Sequence, residues 1–319
     1  MLVLSDERVA ELLDMREVID SVERSMAALS SGKAHMPQRT HIHTDVGDIL
    51  TMNALVEELG VHATKIVTVY PRNPEKGLPT VNAVIVALDS STGTPLALME
   101  AGTLTAVRTG AASAVATKYL ARRDAGTLAM IGCGFQARYQ AYAISVVRSL
   151  EKIKVYCRRR WRAEEYAREV GGRTGVDVEV TGSPQEALRG ADIIVTATTS
   201  RTPVIKREWI GEGAHINAIG SYRPDSRELD TETILDGKVV VDSREAALSE
   251  AGDIIIPIRE GRYSPERIHA ELGEVILGEK PGRTREDEIT IFKSVGLAVQ
   301  DVAAAYVALR RLGAVKPLG

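Results

Sequence analysis

The chain is poor in large aromatic residues, with two Phe and two Trp among 319 positions. Cysteine is equally scarce, limited to Cys133 and Cys157. Two cysteines are too few for a disulfide framework, so reduced intracellular thiols are expected, with Cys133 acting as a small buried residue. No apolar run approaches the roughly 18–20 residues of a membrane span. The opening MLVLSDERVA meets charge by its sixth residue, unlike a signal peptide. The expected setting is therefore cytoplasmic. Charge of one sign is not in surplus either. A net charge of -3 gives no reason to expect nucleic acid or a membrane as partner. The six histidines lack metal spacing. His41 and His43 could share a strand face, but no third ligand is visible, and no metal is expected. His215 precedes a buried strand and reads as structural.

What is present describes a soluble globular protein. Hydrophobic residues make up 44% and charged residues 26%, and the length suits two domains. Asp14-Met15-Arg16-Glu17 looks like a capping box ahead of a helix that stops near Gly32. From about 38 to 100, short apolar runs separated by Pro, Gly and Asn predict β-structure, with Thr92-Gly93 as a hairpin turn. An Ala-rich helix containing Arg108 is expected over about 103–122. From Ala125 the pattern alternates. Strands are predicted at TLAMI, KIKVYC, VDVEV, ADIIVTAT, AHINAIG and KVVVD, with helices between several of them. That alternation predicts an α/β fold, a doubly wound parallel sheet covered on both faces. A second Ala-rich helix is expected over about 294–313, returning to the first domain. The charged stretch 279–288 reads as a solvated connection.

Gly132-Cys133-Gly134-Phe135-Gln136-Ala137 follows the first of these strands and opens a helix. In that setting a Gly-x-Gly-x-x-Ala loop is a dinucleotide cradle. Gly132 permits the tight turn, Gly134 admits the pyrophosphate to the backbone, and Ala137 allows close helix–strand packing. The helix N-terminus adds partial positive charge. An acidic residue at the tip of the second strand would hold a ribose 2′-OH, whereas arginine meets a 2′-phosphate. This chain has Tyr156-Cys157-Arg158-Arg159-Arg160, with no carboxylate before Glu164. Arg158 and Arg159 therefore favour NADP(H), with NAD(H) possible.

Segments along the whole chain carry a resemblance. They are HMPQRT (35–40), the strand around Lys65, KGLPTVNAV (76–84), AVRTGAASAVATKYLAR (106–122), IGCGFQA (131–137), AHINAIGSYRPDSRELD (214–230) and TIFKSVGLAVQD (290–301). In these the chain resembles the ornithine cyclodeaminase/μ-crystallin family, whose members include alanine dehydrogenases, ketimine reductases and ornithine cyclodeaminases. The resemblance implies a Rossmann-type domain over residues 124–293 and an α+β substrate-binding and dimerisation domain over 1–123. Residues 294–319 would return to the first domain, with a homodimer and an active site in the cleft between domains. It implies substrate contacts at Arg39, Lys65 and Arg108, with Lys65 and Arg108 catalytic. It also implies cofactor neighbours at Thr80, Arg108, Phe135, Gln136, Thr198, Ser221, Tyr222 and Ser294. A substrate bearing an α-carboxylate needs fixed cations, and a lysine among them has a lowered pKa suited to proton transfer.

Two departures from the family pattern narrow the activity. Ornithine cyclodeaminases carry an aspartate at the position where Tyr222 stands. A tyrosine stays neutral at pH 7, which counts against cyclodeamination. The archaeal alanine dehydrogenases carry an arginine where this chain has Leu50. The expected activity is NAD(P)H-dependent reduction of a cyclic ketimine carboxylate, pyrroline-2-carboxylate or piperideine-2-carboxylate, to a cyclic amino acid. Alanine dehydrogenase, ornithine cyclodeaminase and a non-catalytic NADPH-binding crystallin-like protein are the alternatives.

Overall fold

The computed structural model describes residues 1–316 and divides into two compact units. The first comprises Met1–Arg108 together with the chain from Leu297 onward, and the second Thr109–Gly296.

The first unit is built on a seven-stranded, mainly antiparallel sheet. Its strands are β1 (Leu2–Leu4), β2 (Ala34–His35), β3 (Thr40–His43), β4 (Asp48–Val56), β5 (Val61–Val69), β6 (Val81–Asp89) and β7 (Pro95–Glu100). The order is β1-β7-β6-β5-β4-β2, with β3 also pairing β4. Gly93, at φ +70°, closes the predicted turn between β6 and β7. Alternation is strict in β4, where Asp48, Leu50, Met52, Ala54 and Val56 all face inward, as the period of two in a half-buried strand requires. Helices α1 (Asp6–Leu12) and α2 (Met15–Ser30) belong to this unit. Asp14 caps α2 by accepting from the Glu17 N–H at 3.1 Å. Val18, Ile19, Val22 and Met26 form the buried stripe of α2. Helix α3 (Gly102–Leu120) begins here and continues into the second unit beyond Arg108.

The second unit carries an eight-stranded sheet whose pairings are all parallel. Its elements run β8 (Thr127–Ile131), α4 (Phe135–Val147), β9 (Lys152–Tyr156), α5 (Arg160–Thr174), β10 (Asp177–Val180), α6 (Pro184–Leu188), β11 (Ile193–Thr196) and β12 (His215–Ala218). Then follow α7 (Thr231–Asp236), β13 (Lys238–Val241), α8 (Arg244–Glu250), α9 (Gly252–Arg259), β14 (Ala270–Glu271), α10 (Leu272–Ile276) and β15 (Thr290–Lys293). The sheet order is β10-β9-β8-β11-β12-β15-β13-β14. The chain runs outward from β8 through β9 to β10, then restarts on the other side at β11. The switch point of this Rossmann-type sheet is thus beside β8, where open α/β sheets bind ligands. The central strands β8, β11, β12, β15 and β13 are almost wholly buried, as in a sheet covered on both faces, whereas β9 and β10 toward one edge are only partly so.

Three local expectations need correction. Residues 290–293 form an interior strand that the hydropathy pattern did not single out. The last helix, α11, starts at Ala298 rather than 294. The reason is Asp242, whose Oδ2 accepts at 2.8 Å from the Ser294 hydroxyl and the Val295 and Gly296 N–H groups, holding 294–296 out of the helix. The stretch 279–288 is more than a solvated connection. Arg283 donates to the carbonyls of Leu120 (2.8 Å) and Glu288 (2.6 Å), and Lys238 pairs with Glu288 at 2.7 Å. In the first unit, α11 packs on α2 and on β4 and β5. Among the described residues, no helix is long and apolar enough to cross a membrane.

Candidate functional site

Two groups of residues stand out, one in each unit. In the second unit, most of the expected dinucleotide contacts lie in loops that leave the carboxyl ends of adjacent parallel strands. Gly132 and Gly134 follow β8, Arg158 and Arg159 follow β9, Thr198 follows β11, Ser221 and Tyr222 follow β12, and Ser294 follows β15. A residue at each strand end, in five neighbouring strands, makes one continuous rim.

The geometry of the glycine loop fits a pyrophosphate. Gly132 has φ +111°, and a Cβ there would stand 2.5 Å from the Ala197 carbonyl, so only glycine fits. A Cβ on Gly134 would meet nothing within 4 Å, leaving open space above the backbone. Gly134 is the N-cap of α4, and no side chain caps that terminus. An uncapped helix N-terminus facing open space is an anion cradle. Gln136 Oε1 is buried without a hydrogen-bond partner among the described residues, a polar atom that a ligand can satisfy. Phe135 is exposed and stacks edge-on against Tyr139. Arg158 and Arg159 are exposed at the tip of β9, and the next carboxylate, Glu164, is engaged by Arg160 at 3.1 Å.

The two cysteines are not free thiols. Cys133 and Cys157 are joined in a disulfide, with Cα atoms 5.8 Å apart. The parallel register explains the meeting. Ile131 lies opposite Tyr156, so Cys157, one residue beyond β9, emerges beside the loop that carries Cys133 two residues beyond β8. Sequence separation of 24 hid this proximity.

Buried carboxylates that sequence reasoning passed over hold the rim in place. Glu228 is fully buried and accepts from four donors. These are the Thr198 N–H and hydroxyl (both 2.7 Å), the Thr196 hydroxyl (2.8 Å) and the Gly220 N–H (2.8 Å). It thereby ties the loop after β11 to the loop after β12. Burial, then the neighbouring Asp253, push its pKa up, opposed by Lys293. Lys293, also fully buried, pairs with Asp253 at 2.9 Å and donates to the Ser221 carbonyl at 2.6 Å. Ser221 donates its own hydroxyl to the Ser226 carbonyl at 2.6 Å. Half-buried Tyr222 follows directly. His215 is structural in the sense expected. It is wholly buried against Thr290 and Asn217, and burial depresses its pKa to about 3.

In the first unit, Lys65 projects from the inward face of β5 beside Val61, Ala63 and Val67. A lysine buried to 1% exposure needs a partner. Asp301 of α11 supplies it, with Nζ 2.8 Å from both carboxylate oxygens. Arg108, at 6% exposure, shares that carboxylate through Nε at 2.9 Å and donates to Gln300 at 2.8 Å. Two cations thus face one anion. Burial first, then the charge of Arg108, lower the Lys65 pKa to about 7, with Asp301 opposing and Arg39 adding to the fall. Leu50 lies on the same sheet face, one row from Lys65, since Met52 pairs with Lys65 and Leu50 with Val67. Thr80 precedes β6 in this unit, half-buried, its carbonyl accepting from the Tyr70 N–H at 2.8 Å. Neither Thr80 nor Arg108 belongs to the rim of strand-end loops.

Asp301 and Gln300 are the residues here that the sequence reading missed. The available signal was the one used for Arg108, an isolated polar group in an Ala-rich helix. No such signal marks Glu228, whose neighbours are a mixture of charged and apolar residues.

Similar proteins share both units. A Delta(1)-pyrroline-2-carboxylate reductase of Bacillus cereus is 44% identical over 308 residues, covering 96% of this chain and 94% of that protein. The solved structure of the Thermococcus litoralis Delta(1)-pyrroline-2-carboxylate reductase, in complex with NADH and L-proline, superposes with a TM-score of 0.96. It is 46% identical and covers 99% of this chain and 100% of its own. An archaeal alanine dehydrogenase dimer with bound NAD is 41% identical, with a TM-score of 0.93 and coverage of 98% and 95%. The sequence profile of the ornithine cyclodeaminase/mu-crystallin family matches residues 1–313, and the chain belongs to that family.

Proposed function

We propose that this oxidoreductase reduces the C=N bond of a cyclic ketimine carboxylate, pyrroline-2-carboxylate or piperideine-2-carboxylate, to the cyclic amino acid. The observation that carries the reading is the buried group of Lys65, Arg108 and Asp301, with a lysine pKa near neutrality. A bound nicotinamide dinucleotide supplies the hydride. The residues of the chain do the rest. Arg39 and Arg108 hold the carboxylate, with guanidinium forks suited to it. Lys65 delivers a proton to the imine nitrogen, which makes the carbon a better hydride acceptor. A group whose pKa lies close to the working pH gives and regains that proton readily. Fixing both reactants supplies much of the remaining rate. The two pyrroline-2-carboxylate reductases at 44% and 46% identity support the substrate class.

Alanine dehydrogenase is the second reading, supported by the archaeal relative at 41% identity. The same cations would hold pyruvate. Leu50, buried on the Lys65 face of the sheet, offers an apolar surface better matched to a ring than to ammonia and a short oxo acid. Tyr222 in place of a carboxylate counts against ornithine cyclodeamination. Purified protein should oxidise NADH or NADPH faster with pyrroline-2-carboxylate than with pyruvate plus ammonia. The reverse ranking would assign it to the dehydrogenases.

NADP(H) is the favoured cofactor, with NAD(H) possible. The NADH and NAD complexes of the relatives speak for NAD(H), whereas Arg158 and Arg159 speak for acceptance of the 2′-phosphate of NADP(H). A homodimer is supported by the dimeric relative and by Ile66 and Val84. These two residues pair across β5 and β6 on the outer face of the first sheet, 43% and 37% exposed.

A further inference from the structure

His41 and His43 alternate along β3, and the register pairs them with Leu50 and Asp48 of β4. Leu50 and Asp48 point to the inward face, so both imidazoles lie on that side, at the sheet edge. The third donor, invisible in the spacing of histidines, is Asp48. Its Oδ1 lies 3.0 Å from His41 Nε2 and 2.6 Å from His43 Nδ1. The three donor atoms all fall within 4.8 Å of one another. The carboxylate is buried, with its side chain 4% exposed, while the imidazoles are 39% and 62% exposed. An anchored carboxylate with two accessible imidazoles above it is an arrangement open to an ion from solvent.

We propose that His41, His43 and Asp48 bind one first-row divalent cation of the zinc class. Two imidazoles and one carboxylate are the ligand types such ions take, with solvent completing the shell. Ligands at the usual zinc distances stand about 3.3 Å apart in a tetrahedron. The two nitrogen–carboxylate contacts, at 3.0 and 2.6 Å, have to open to about that spacing, which exposed imidazoles do by rotating about their side-chain bonds. The hairpin is already set for it. Thr44 closes the turn through its hydroxyl, which donates to the Gly47 carbonyl (2.7 Å) and accepts from the Gly47 N–H (3.1 Å). Gly47 has no room for a Cβ, which would stand 2.6 Å from the Val69 carbonyl. No chain rearrangement is required, so binding orders little beyond the two side chains. The ion would cross-link β3 to β4 two residues beyond Arg39, the residue proposed to hold substrate carboxylate.

The test titrates the metal-free full-length protein with Zn²⁺ by calorimetry and with Co²⁺ by visible absorption, alongside His41→Ala, His43→Ala and Asp48→Asn. One ion per chain is expected. Each variant should lose at least the roughly 10–100-fold in affinity that removing even an outer partner of a metal ligand costs. Asp48→Asn tests the buried anion, and the histidine variants remain informative if that protein misfolds, because both imidazoles are largely exposed. Zn²⁺ should also raise the melting temperature of the wild type and not of His43→Ala. Absence of saturable uptake by the wild type would overturn the proposal and leave the cluster as a hydrogen-bonded hairpin clasp. Unchanged uptake in both His41→Ala and His43→Ala would overturn it equally, placing the ion elsewhere.

Discussion

The two units bury charge in opposite ways. Around Lys65 the cations outnumber the anion, since Arg108 and Lys65 share the single carboxylate of Asp301. Burial first, and then the charge of Arg108, lower the lysine pKa to about 7, against the opposing pull of Asp301. In the second unit the buried carboxylates of Glu228 and Asp242 are instead directed at backbone N–H groups and hydroxyls. Each ties two loops together. Burial shifts proton affinity in both places, downward at Lys65 and upward at Glu228, but the hydrogen bonds that Glu228 and Asp242 accept from backbone N–H groups also fix a shape. In the proposed mechanism the first arrangement serves proton transfer and the second a rigid dinucleotide cradle.

That contrast breaks in different ways for different changes. The largest effect is expected from Lys65→Met. Loss of the proton donor should lower kcat by about 10²–10⁴-fold, with dinucleotide affinity, followed by fluorescence titration, left as it was. A matching loss of dinucleotide affinity would show that the two regions do not divide the work. Next comes the Cys133–Cys157 link. Cys157→Ser should lower unfolding stability by roughly 3 kcal/mol, as expected for a loop of this length, read from urea melts without reductant. Reductant should bring the wild type down to the same value.

Glu228→Gln removes an acceptor for at least one of four donors. A loss of about 1.5–3 kcal/mol is expected, typical of a hydrogen bond to a charged group. The Michaelis constant for the dinucleotide should rise while the pH dependence of kcat stays in place. A shifted pH profile would instead put Glu228 into the proton chemistry. Smallest is Arg158→Asp. It should weaken NADPH binding by about tenfold, the equivalent of roughly 1.4 kcal/mol, and leave NADH binding nearly unchanged. Equal weakening of both would remove Arg158 from 2′-phosphate recognition.

Much of the second unit was legible in the sequence because its signals are local. Alternating apolar strands and helices, Gly132 and Gly134 after a strand, and arginines after Tyr156 all act through near neighbours. The inward placement of Lys65 and Arg108 was legible through their apolar surroundings. What escaped depends on long-range register. Asp301 meets Lys65 across 236 positions, and Glu228 reaches Thr198 across 30. The disulfide exists because β8 and β9 are in register, and Asp48 joins His41 and His43 because β3 folds back on β4. The strand at 290–293 was missed because its hydropathy marks burial without saying that it inserts between β12 and β13.

The central claim is that burial, with the charge of Arg108 beside it, tunes Lys65 to protonate the substrate nitrogen. It is tested most directly by the pH dependence of kcat/KM for pyrroline-2-carboxylate reduction in the wild type and in Asp301→Asn. Protonated Lys65 is the active form, so the rate should fall as pH rises through about 7. Asp301 raises the lysine pKa, so its neutralisation should move that break to lower pH. A break that stays where it was in Asp301→Asn would belong to the substrate or to another group, and would contradict the role given to Lys65.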